Sequence, residues 1–297
     1  MIVSLLLLPS EKGRHGGGRP SFHLLDKGRK QASRKRAVFA CRTATSCLLL
    51  AVLVRDIMSL MRIPLTKYGL PEVAIYPMAI AALMAAVGWF GPALLPTGAI
   101  AAAEGVLALV LVWALMFFRD PQRRTLQDDS ILLAPADGRI VDIETVDEGG
   151  FIGGPALRIG IFLSIFSTHI NRAPCDARVE KITYRPGKYL NAMNRLAGKV
   201  NESNNLALVR TSQPKDRLVV RQISGAIARR IVCAAREGQH LAGGERFGMI
   251  KFGSRTELYL PIGGDVECLV RIGDKVKAGM TPLAKYKTTK PESTQVS

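Results

Sequence analysis

The chain has 297 residues, of which 48% are hydrophobic, and is long enough to bury one or two cores. Its formal net charge of +17 favours an anionic partner. Aromatic residues make up only 6% and accompany no basic run, which argues against nucleic acid and for anionic lipid headgroups. The five cysteines lack metal-ligand or secreted-scaffold spacing, so we predict no metal site and free thiols in a reducing compartment.

Residues 1–57 are basic and contain glycine and serine. Their first apolar run precedes the positive charges, which is the wrong order for a signal peptide, and the run at 47–54 is too short to span a bilayer. We therefore predict that residues 1–57 are a disordered extension, or the product of a misassigned start with Met58 or Met61 as the true beginning.

Two long apolar stretches follow, at 72–90 and 93–118, and each has about the length that one bilayer crossing needs. Gly91-Pro92 between them predicts a turn. Basic residues at both outer ends place those ends in the cytoplasm by the positive-inside rule; they are Arg62, Lys67, Arg119, Arg123 and Arg124. Residues 58–119 are thus predicted to be a membrane anchor with two transmembrane helices. A buried helical hairpin in a soluble core is the alternative.

From residue 120 onward, short apolar runs are broken by Gly, Pro and Asp, which is typical of strands at short intervals. Two segments interrupt the strands: KYLNAMNRLAGK (188–199) predicts a helix and NESNN (201–205) a polar loop. We predict that residues 120–297 form a mostly β (β-rich α+β) cytoplasmic domain behind the membrane hairpin.

The dipeptide Gly253-Ser254 has the chemistry for self-cleavage. A serine hydroxyl after a glycine in a sharp turn lies close to the preceding carbonyl carbon, and glycine tolerates the dihedrals that an N-to-O acyl shift needs. Elimination from the resulting ester leaves dehydroalanine, which hydrolyses to a pyruvoyl group and ammonia. Because Gly-Ser is also a common turn dipeptide, the pair alone does not establish this chemistry.

Six segments in a fixed order give the dipeptide its context. They are APADG (134–138), IFLSIFSTHINRAPCDARV (161–179), YRPGKYLNA (184–192), NESNN (201–205), QISGAIARRIV (222–232) and FGMIKFGSR (247–255). With FRDPQR after the second apolar stretch, they resemble the phosphatidylserine decarboxylases, specifically the shorter proenzyme form with two N-terminal spans. The resemblance covers about residues 60–286, and the ordered set is highly specific.

The resemblance implies roles for single residues. Ser254 matches the serine that becomes the pyruvoyl group, Gly253 the residue left at the new carboxyl terminus, and Asp137 the acidic residue of the self-cleavage machinery. His169 matches the first histidine of the family's histidine segment. Longer members carry a second histidine three residues later, where this chain has Arg172, which cannot act as a base at physiological pH. The residue that deprotonates Ser254 is therefore left open. It is either His169, acting in both self-cleavage and decarboxylation, or Asp137, acting through a water molecule.

The implied activity is decarboxylation of phosphatidylserine to phosphatidylethanolamine. The pyruvoyl group derived from Ser254 would form a Schiff base with the substrate amine and serve as the electron sink, with His169 as the acid that reprotonates the carbon. The cleaved chain would persist as a heterodimer of 1–253 and 254–297, whose further dimerisation is left open. Its expected location is the inner cell membrane, with the catalytic domain on the cytoplasmic face.

Plainer interpretations stand beside these roles. Asp137 before a glycine is a good turn residue, and His169 could be a satisfied interior histidine. Arg172, Arg229 and Arg230 are the candidate substrate contacts, although arginines more often belong to a solvated face than bind a phosphate.

A membrane-tethered carrier or binding module without self-cleavage is the alternative function. LLAPADGRIV and VRIGDKVKAGMTPLAKY resemble half-barrels of lipoyl-type and phosphocarrier domains. A carrier would need an exposed modifiable lysine, for which Lys275 and Lys277 lack the usual flanks, or a second histidine near His169. A purely structural scaffold is the third possibility. Only the self-processing enzyme should yield a small C-terminal fragment.

Overall fold

The computed structural model describes residues 65–194, 196–226, 230–251, 253–262 and 266–287. The predictions for residues 1–57, with the alternative starts at Met58 and Met61, lie outside the described residues, as does Arg229. The described residues form two long helices followed by a β-rich domain, so the predicted mostly-β class is confirmed.

Two apolar helices lead the described part of the chain. After a 3-10 turn at Lys67–Gly69 come α1 (Glu72–Leu94) and α2 (Thr97–Phe117). Both are long and apolar enough to cross a membrane, with mean hydropathies of 1.9 and 2.3 over their apolar windows. Only 6% and 17% of those windows are buried, whereas a core helix of a soluble protein is mostly covered. Their exposure suggests membrane association and disfavours the buried-hairpin alternative.

The turn between the helices lies at Leu95-Pro96, so its predicted place at Gly91-Pro92 is wrong. Leu95 is extended (φ −133°, ψ 150°) because the ring of Pro96 disfavours a helical conformation in the residue before it. Pro92 is tolerated in the last turn of α1, where it removes a single helical hydrogen bond. Gly91 lets α2 approach closely, since a Cβ there would stand 3.2 Å from Cγ1 of Ile100.

The two outer ends of the hairpin meet at one place. Leu65 and Arg119 form an isolated antiparallel bridge, and Thr66 N donates to Phe118 O at 2.9 Å. Phe117 and Phe118 are buried in a small apolar cluster with Ile170 and Met249 of the β-rich domain. The hairpin therefore begins and ends against the same side of that domain.

The β-rich domain contains fourteen strands and one short helix among the described residues. The helix is α3 (Ala197–Val200). The strands are β1 (Ile131–Leu133), β2 (Gly138–Glu148), β3 (Gly154–Leu163), β4 (Ile170–Arg172), β5 (Ala177–Arg185), β6 (Ser203–Arg210), β7 (Arg217–Ile223), β8 (Ile231–Cys233), β9 (His240–Leu241), β10 (Arg246–Ile250), β11 (Ser254–Pro261), β12 (Val266–Cys268), β13 (Lys275–Val276) and β14 (Pro282–Tyr286).

Within the described ranges, these strands form an eight-stranded sheet in the order β13-β2-β3-β11-β7-β6-β5-β9. Two three-stranded sheets, β1-β14-β12 and β4-β10-β8, accompany it, and every pairing is antiparallel. Alternate residues of the central strands supply the main core, such as Ile159 and Ile161 of β3 and Leu258 and Leu260 of β11. This period of two is what the short apolar runs of the sequence predict.

The segment from 188 to 205 differs from its predicted helix and loop. Of the described residues in this segment, only Ala197–Val200 are helical, because the side chains of Asn191 and Asn194 accept hydrogen bonds from the N–H groups two residues on (3.0 and 2.9 Å) and favour turns. The last part of the predicted loop belongs to β6 and is buried. There Asn204 donates to the side chain of Gln222 at 3.1 Å, so its polarity serves an internal contact.

Strand β11 is buried on both faces from Ser254 to Leu260. On the face opposite the core, Arg255 donates to Asp142 at 2.5 Å and to Glu257 at 2.8 Å. Glu257 also accepts from the hydroxyl of Tyr259 at 2.6 Å. The guanidinium of Arg255 is thus neutralised by two carboxylates while only 1% of its side chain is exposed. This ionic network fixes the strand that begins at Ser254.

We predict that Asp142→Ala lowers the free energy of unfolding by about 3 kcal/mol, because it leaves Arg255 buried with one of its two carboxylates missing. Urea unfolding followed by circular dichroism measures this, in a Ser254→Ala background so that the expected self-cleavage does not divide the chain. The control is Asp147→Ala at the exposed end of β2, expected to change stability by less than about 0.5 kcal/mol. Equal effects of the two substitutions would contradict the importance of the network.

Candidate active site

Ser254 is the first residue of β11 and lies opposite Leu163 of β3. It is fully buried, and its Oγ has no hydrogen-bond partner among the described residues. Gly253 before it has φ +58°, in the left-handed region that residues with a Cβ rarely adopt. A buried hydroxyl without a partner is costly to maintain, and together with the left-handed Gly253 this makes Ser254 the candidate nucleophile.

The carbonyl group of Gly253 is held against the backbone of Gly225. A Cβ at Gly225 would collide with the carbonyl oxygen of Gly253, so only glycine permits this approach. The segment before Gly225 is fixed in turn: Asn201 donates to Ser224 O at 2.8 Å, and Ser224 N donates to Glu202 O at 3.0 Å. Sequence reasoning used QISG for the resemblance, and NESNN for the resemblance and for a predicted polar loop, and it assigned none of these residues a role in the site.

His169 is completely buried at the start of β4. Its Nδ1 lies 2.9 Å from Ser167 O, and because a carbonyl only accepts, this nitrogen carries the proton. Nε2 therefore bears a lone pair, and it has no partner in the described part of the chain. Burial lowers the pKa of His169 from 6.5 to about 4, with a smaller contribution in the same direction from the charge of Arg119. The imidazole is thus a neutral acceptor at physiological pH.

The fold brings His169 and Ser254 to the same end of two packed sheets. Ile250 N, at the end of β10, donates to His169 O at 3.2 Å, and only three residues of sequence separate Ile250 from Ser254. Farther along, the side chain of Asn171 donates to Thr256 Oγ1 at 3.1 Å and joins β4 to β11. Side chains alternate along a strand, so Ser254 shares the face of Thr256 that looks toward the sheet led by His169.

Asp137 lies in the turn before β2 and binds Arg123. The two form a bidentate pair with distances of 2.5 and 2.6 Å, and Ala278 N donates to the same carboxylate at 2.8 Å. The charge of Asp137 raises the pKa of His169 slightly against the larger effect of burial, although the hydrogen-bond partners of the carboxylate are Arg123 and Ala278 N. The sequence analysis identified Arg123 only as a basic residue after the second apolar stretch. Its pairing with Asp137 was missed because the fold, and not the local sequence, brings the two together.

The two candidate substrate arginines that the structure describes, Arg172 and Arg230, have different partners. Arg172 is buried and donates to Gly244 O and Pro121 O, both at 3.0 Å, and its Nη2 lies 3.4 Å from Asp120. These contacts tie β4 to the segment that leaves α2. Arg230 is 62% exposed and lies 3.7 Å from Glu72 at the start of α1. Of the two, only Arg230 has a side chain directed to the surface.

Among the described residues, no group of three or more His, Cys, Asp or Glu side chains is arranged to hold a metal ion. The arrangement at Gly253-Ser254 does fit a group made from the chain itself. The hydroxyl has no partner in the described ranges, the preceding carbonyl is held against Gly225, and a neutral imidazole directly precedes β4 of the facing sheet. These are the components of an acyl shift followed by proton transfer.

Comparison with known proteins agrees with this chemistry. The family model for phosphatidylserine decarboxylase matches residues 110–284. The phosphatidylserine decarboxylase proenzyme of Magnetococcus marinus is 37% identical over 221 residues, covering 74% of this chain and 94% of that protein. The proenzyme of Rhodopirellula baltica is 41% identical over 226 residues (75% and 89%), and that of Symbiobacterium thermophilum 42% over 230 residues (77% and 99%).

These matches extend over most of the chain and nearly all of each relative. They confirm the resemblance carried by the six ordered segments, and they support an enzyme over the carrier and scaffold alternatives. The chain belongs to the phosphatidylserine decarboxylase family and is a decarboxylase.

Proposed function

We propose that the chain cleaves itself between Gly253 and Ser254, converts Ser254 into a pyruvoyl group, and uses it to decarboxylate phosphatidylserine to phosphatidylethanolamine. The observation that carries the proposal is the buried, unpartnered Oγ of Ser254 after a glycine at φ +58°. The relatives' name of proenzyme, which implies a processed precursor, supports it. The products are fragments 1–253 and 254–297, which stay together as a heterodimer.

In the first step, Oγ of Ser254 attacks the carbonyl carbon of Gly253, which Gly225 holds in place. The hydroxyl proton passes to a base, for which the lone pair on Nε2 of His169 is best prepared. The C–N bond then breaks, the amine takes up a proton, and an ester joins Gly253 to Oγ. Removal of the Cα proton of Ser254 expels the carboxylate of Gly253, and hydrolysis of the remaining dehydroalanine releases ammonia.

The pyruvoyl group would supply an electron sink for the electron pair left when carbon dioxide departs from the substrate. The chain's own part is to keep this end of β11 dry and to move protons. We assign reprotonation of the substrate carbon to His169: Nε2 would take up a proton that comes ultimately from solvent, and the resulting imidazolium would pass that proton to the carbon. Asp137 is proposed to act indirectly, because Arg123 and Ala278 N occupy its carboxylate and hold the turn before β2.

A location at the inner membrane, with the β-rich domain on the cytoplasmic face, agrees with the charges at the hairpin's ends. Lys67 precedes α1 and Arg119 follows α2, and the bridge from Leu65 to Arg119 holds these ends together. Both basic ends therefore lie on one side, which the positive-inside rule makes cytoplasmic. Exposed Arg230 near the start of α1 is the proposed contact for a lipid phosphate, while Arg172 is a weaker candidate because its guanidinium is bound internally.

Mass spectrometry of the purified protein under denaturing conditions tests the cleavage. We expect a fragment of residues 254–297 that is lighter by one ammonia than the same peptide beginning with serine. Ser254→Ala should give a single intact chain, because it has no nucleophilic oxygen. An intact wild-type chain with full decarboxylase activity would contradict the proposal.

His169→Ala is expected to slow self-cleavage by about 10²- to 10⁴-fold, the usual contribution of a positioned general base. The measurement is the rate at which newly synthesised chain is processed in lipid vesicles, followed by electrophoresis. His240→Ala, at an exposed position on β9, is the matched control and should leave the rate unchanged. A wild-type rate for His169→Ala would transfer the role of base to another group.

The rate of self-cleavage should stay level as the pH falls from 8 to about 5.5 and decline only toward pH 4. Burial lowers the pKa of His169 to about 4, so Nε2 remains unprotonated, and able to accept the hydroxyl proton, at every pH above that value. Circular dichroism at each pH separates loss of the base from loss of the fold. A midpoint near 6.5, the ordinary value for histidine, would show that the imidazole is not shielded as described.

A further inference from the structure

We propose that Glu72, the first residue of the apolar helix α1, is a positioning residue for self-cleavage that acts through Lys251. The inference rests on the proposed function, since it concerns the same bond between Gly253 and Ser254. It gives the membrane hairpin a second task beyond attachment, because the helix that enters the membrane also holds the segment that is cut.

The contact between the two residues is short and sheltered. Lys251 Nζ lies 2.7 Å from Glu72 Oε2, and the side chains of Lys251 and Glu72 are only 4% and 17% exposed. An ammonium group removed from water is stable only with a counter-charge, so the pair resists separation. Arg230 adds a more exposed cation 3.7 Å from the same carboxylate, and Lys251 N donates to Arg230 O at 3.2 Å.

Lys251 lies close in the sequence to the peptide bond that is cut, so a contact of its side chain can position that bond. It follows Ile250, whose N–H donates to His169 O, and precedes Gly253 by two residues. At Gly253 itself, no described atom lies within 4 Å of the place where a Cβ would stand, so crowding at that point does not impose the φ of +58°. Three contacts hold the described residues around it: that of the Gly253 carbonyl oxygen with Gly225, the pairing of Lys251 with Glu72, and the sheet pairing of β11.

The second helix reaches the same site independently. The ring of Phe117, at the end of α2, lies with its centroid 4.4 Å from that of His169, and Phe117 is itself buried in the cluster with Met249 of β10. Thus α1 contacts the segment before the cleaved bond and α2 contacts the proposed base. A chain whose hairpin has not assembled would lack both contacts, so we infer that processing follows assembly of the hairpin.

A double-mutant cycle tests the pair, with Glu72→Gln, Lys251→Met and the two combined. Full-length chains are synthesised without cells in vesicles of phosphatidylglycerol and phosphatidylethanolamine. Electrophoresis gives two quantities: the first-order rate constant of cleavage and the final fraction cleaved. A loss of positioning lowers the rate constant and leaves the final fraction unchanged, whereas misfolding lowers the final fraction and leaves the rate constant of the folded chains unchanged.

We expect each single substitution to lower the rate constant on the order of 10- to 100-fold, as a displacement of about 1 Å at a reacting group does. The double variant should be no slower than the slower single variant, because both remove one interaction. The control is Glu180→Gln, which breaks the exposed pair with Arg178 and should cleave at the wild-type rate.

Three results would overturn the inference. They are a wild-type rate constant in Glu72→Gln, a fall in the final fraction alone, and slowing factors that multiply in the double variant. A wild-type chain that stays intact in the same vesicles would instead overturn the proposed function, and this inference with it. The two failures are therefore distinguishable in one experiment.

Discussion

The burial of β11 on both faces is the constraint on which the site depends. Its core face carries Leu258 and Leu260, while its other face carries Arg255, whose charge is neutralised by Asp142 and Glu257. A strand held from both sides cannot shift its register without moving either the leucines into polar contacts or the guanidinium into the apolar core. Ser254, as its first residue, is therefore held in place by the strand that follows it.

The turn before Ser254 is constrained differently, by contacts from distant parts of the chain. Gly225 stands against the carbonyl of Gly253, and Lys251 is paired with Glu72. Neither contact alone prepares a peptide bond for attack. Together they leave the bond between a fixed carbonyl and a fixed hydroxyl, in a place where burial keeps the nearby imidazole of His169 neutral. The proposed reactivity would thus come from how ordinary side chains and backbone groups are arranged, since glycine, serine and histidine all occur elsewhere in the chain.

Features of the fold and the site could be predicted when they depend on residues close together in the sequence, and could not when they join residues far apart. The helices and strands were predictable because apolar length and alternation are local properties, visible in runs such as those of α2 and β3. The family was predictable because six short segments resemble it in their order, and the role of Ser254 stays a prediction that rests on that resemblance. The contact of Glu72 with Lys251 was not, because it joins positions 179 residues apart and neither residue is unusual in its own surroundings. Likewise, the polarity of Asn204 indicated solvent, whereas its amide is bound within the protein.

The position of β11 also bears on how long the mature protein would last. This strand lies between β3 and β7 in the interior of the largest sheet, and β14, near the end of the described chain, lies between β1 and β12. After the proposed cleavage, the chain would no longer join β11 to β3 and β7, or β14 to β1, and sheet hydrogen bonds and the shared core would hold these strands together instead. Unfolding would then release two molecules, whose reunion depends on their concentration rather than on chain connectivity. The two fragments would be assembled only when the precursor folds, before cleavage. The lifetime of the active heterodimer would therefore be set by its rate of unfolding.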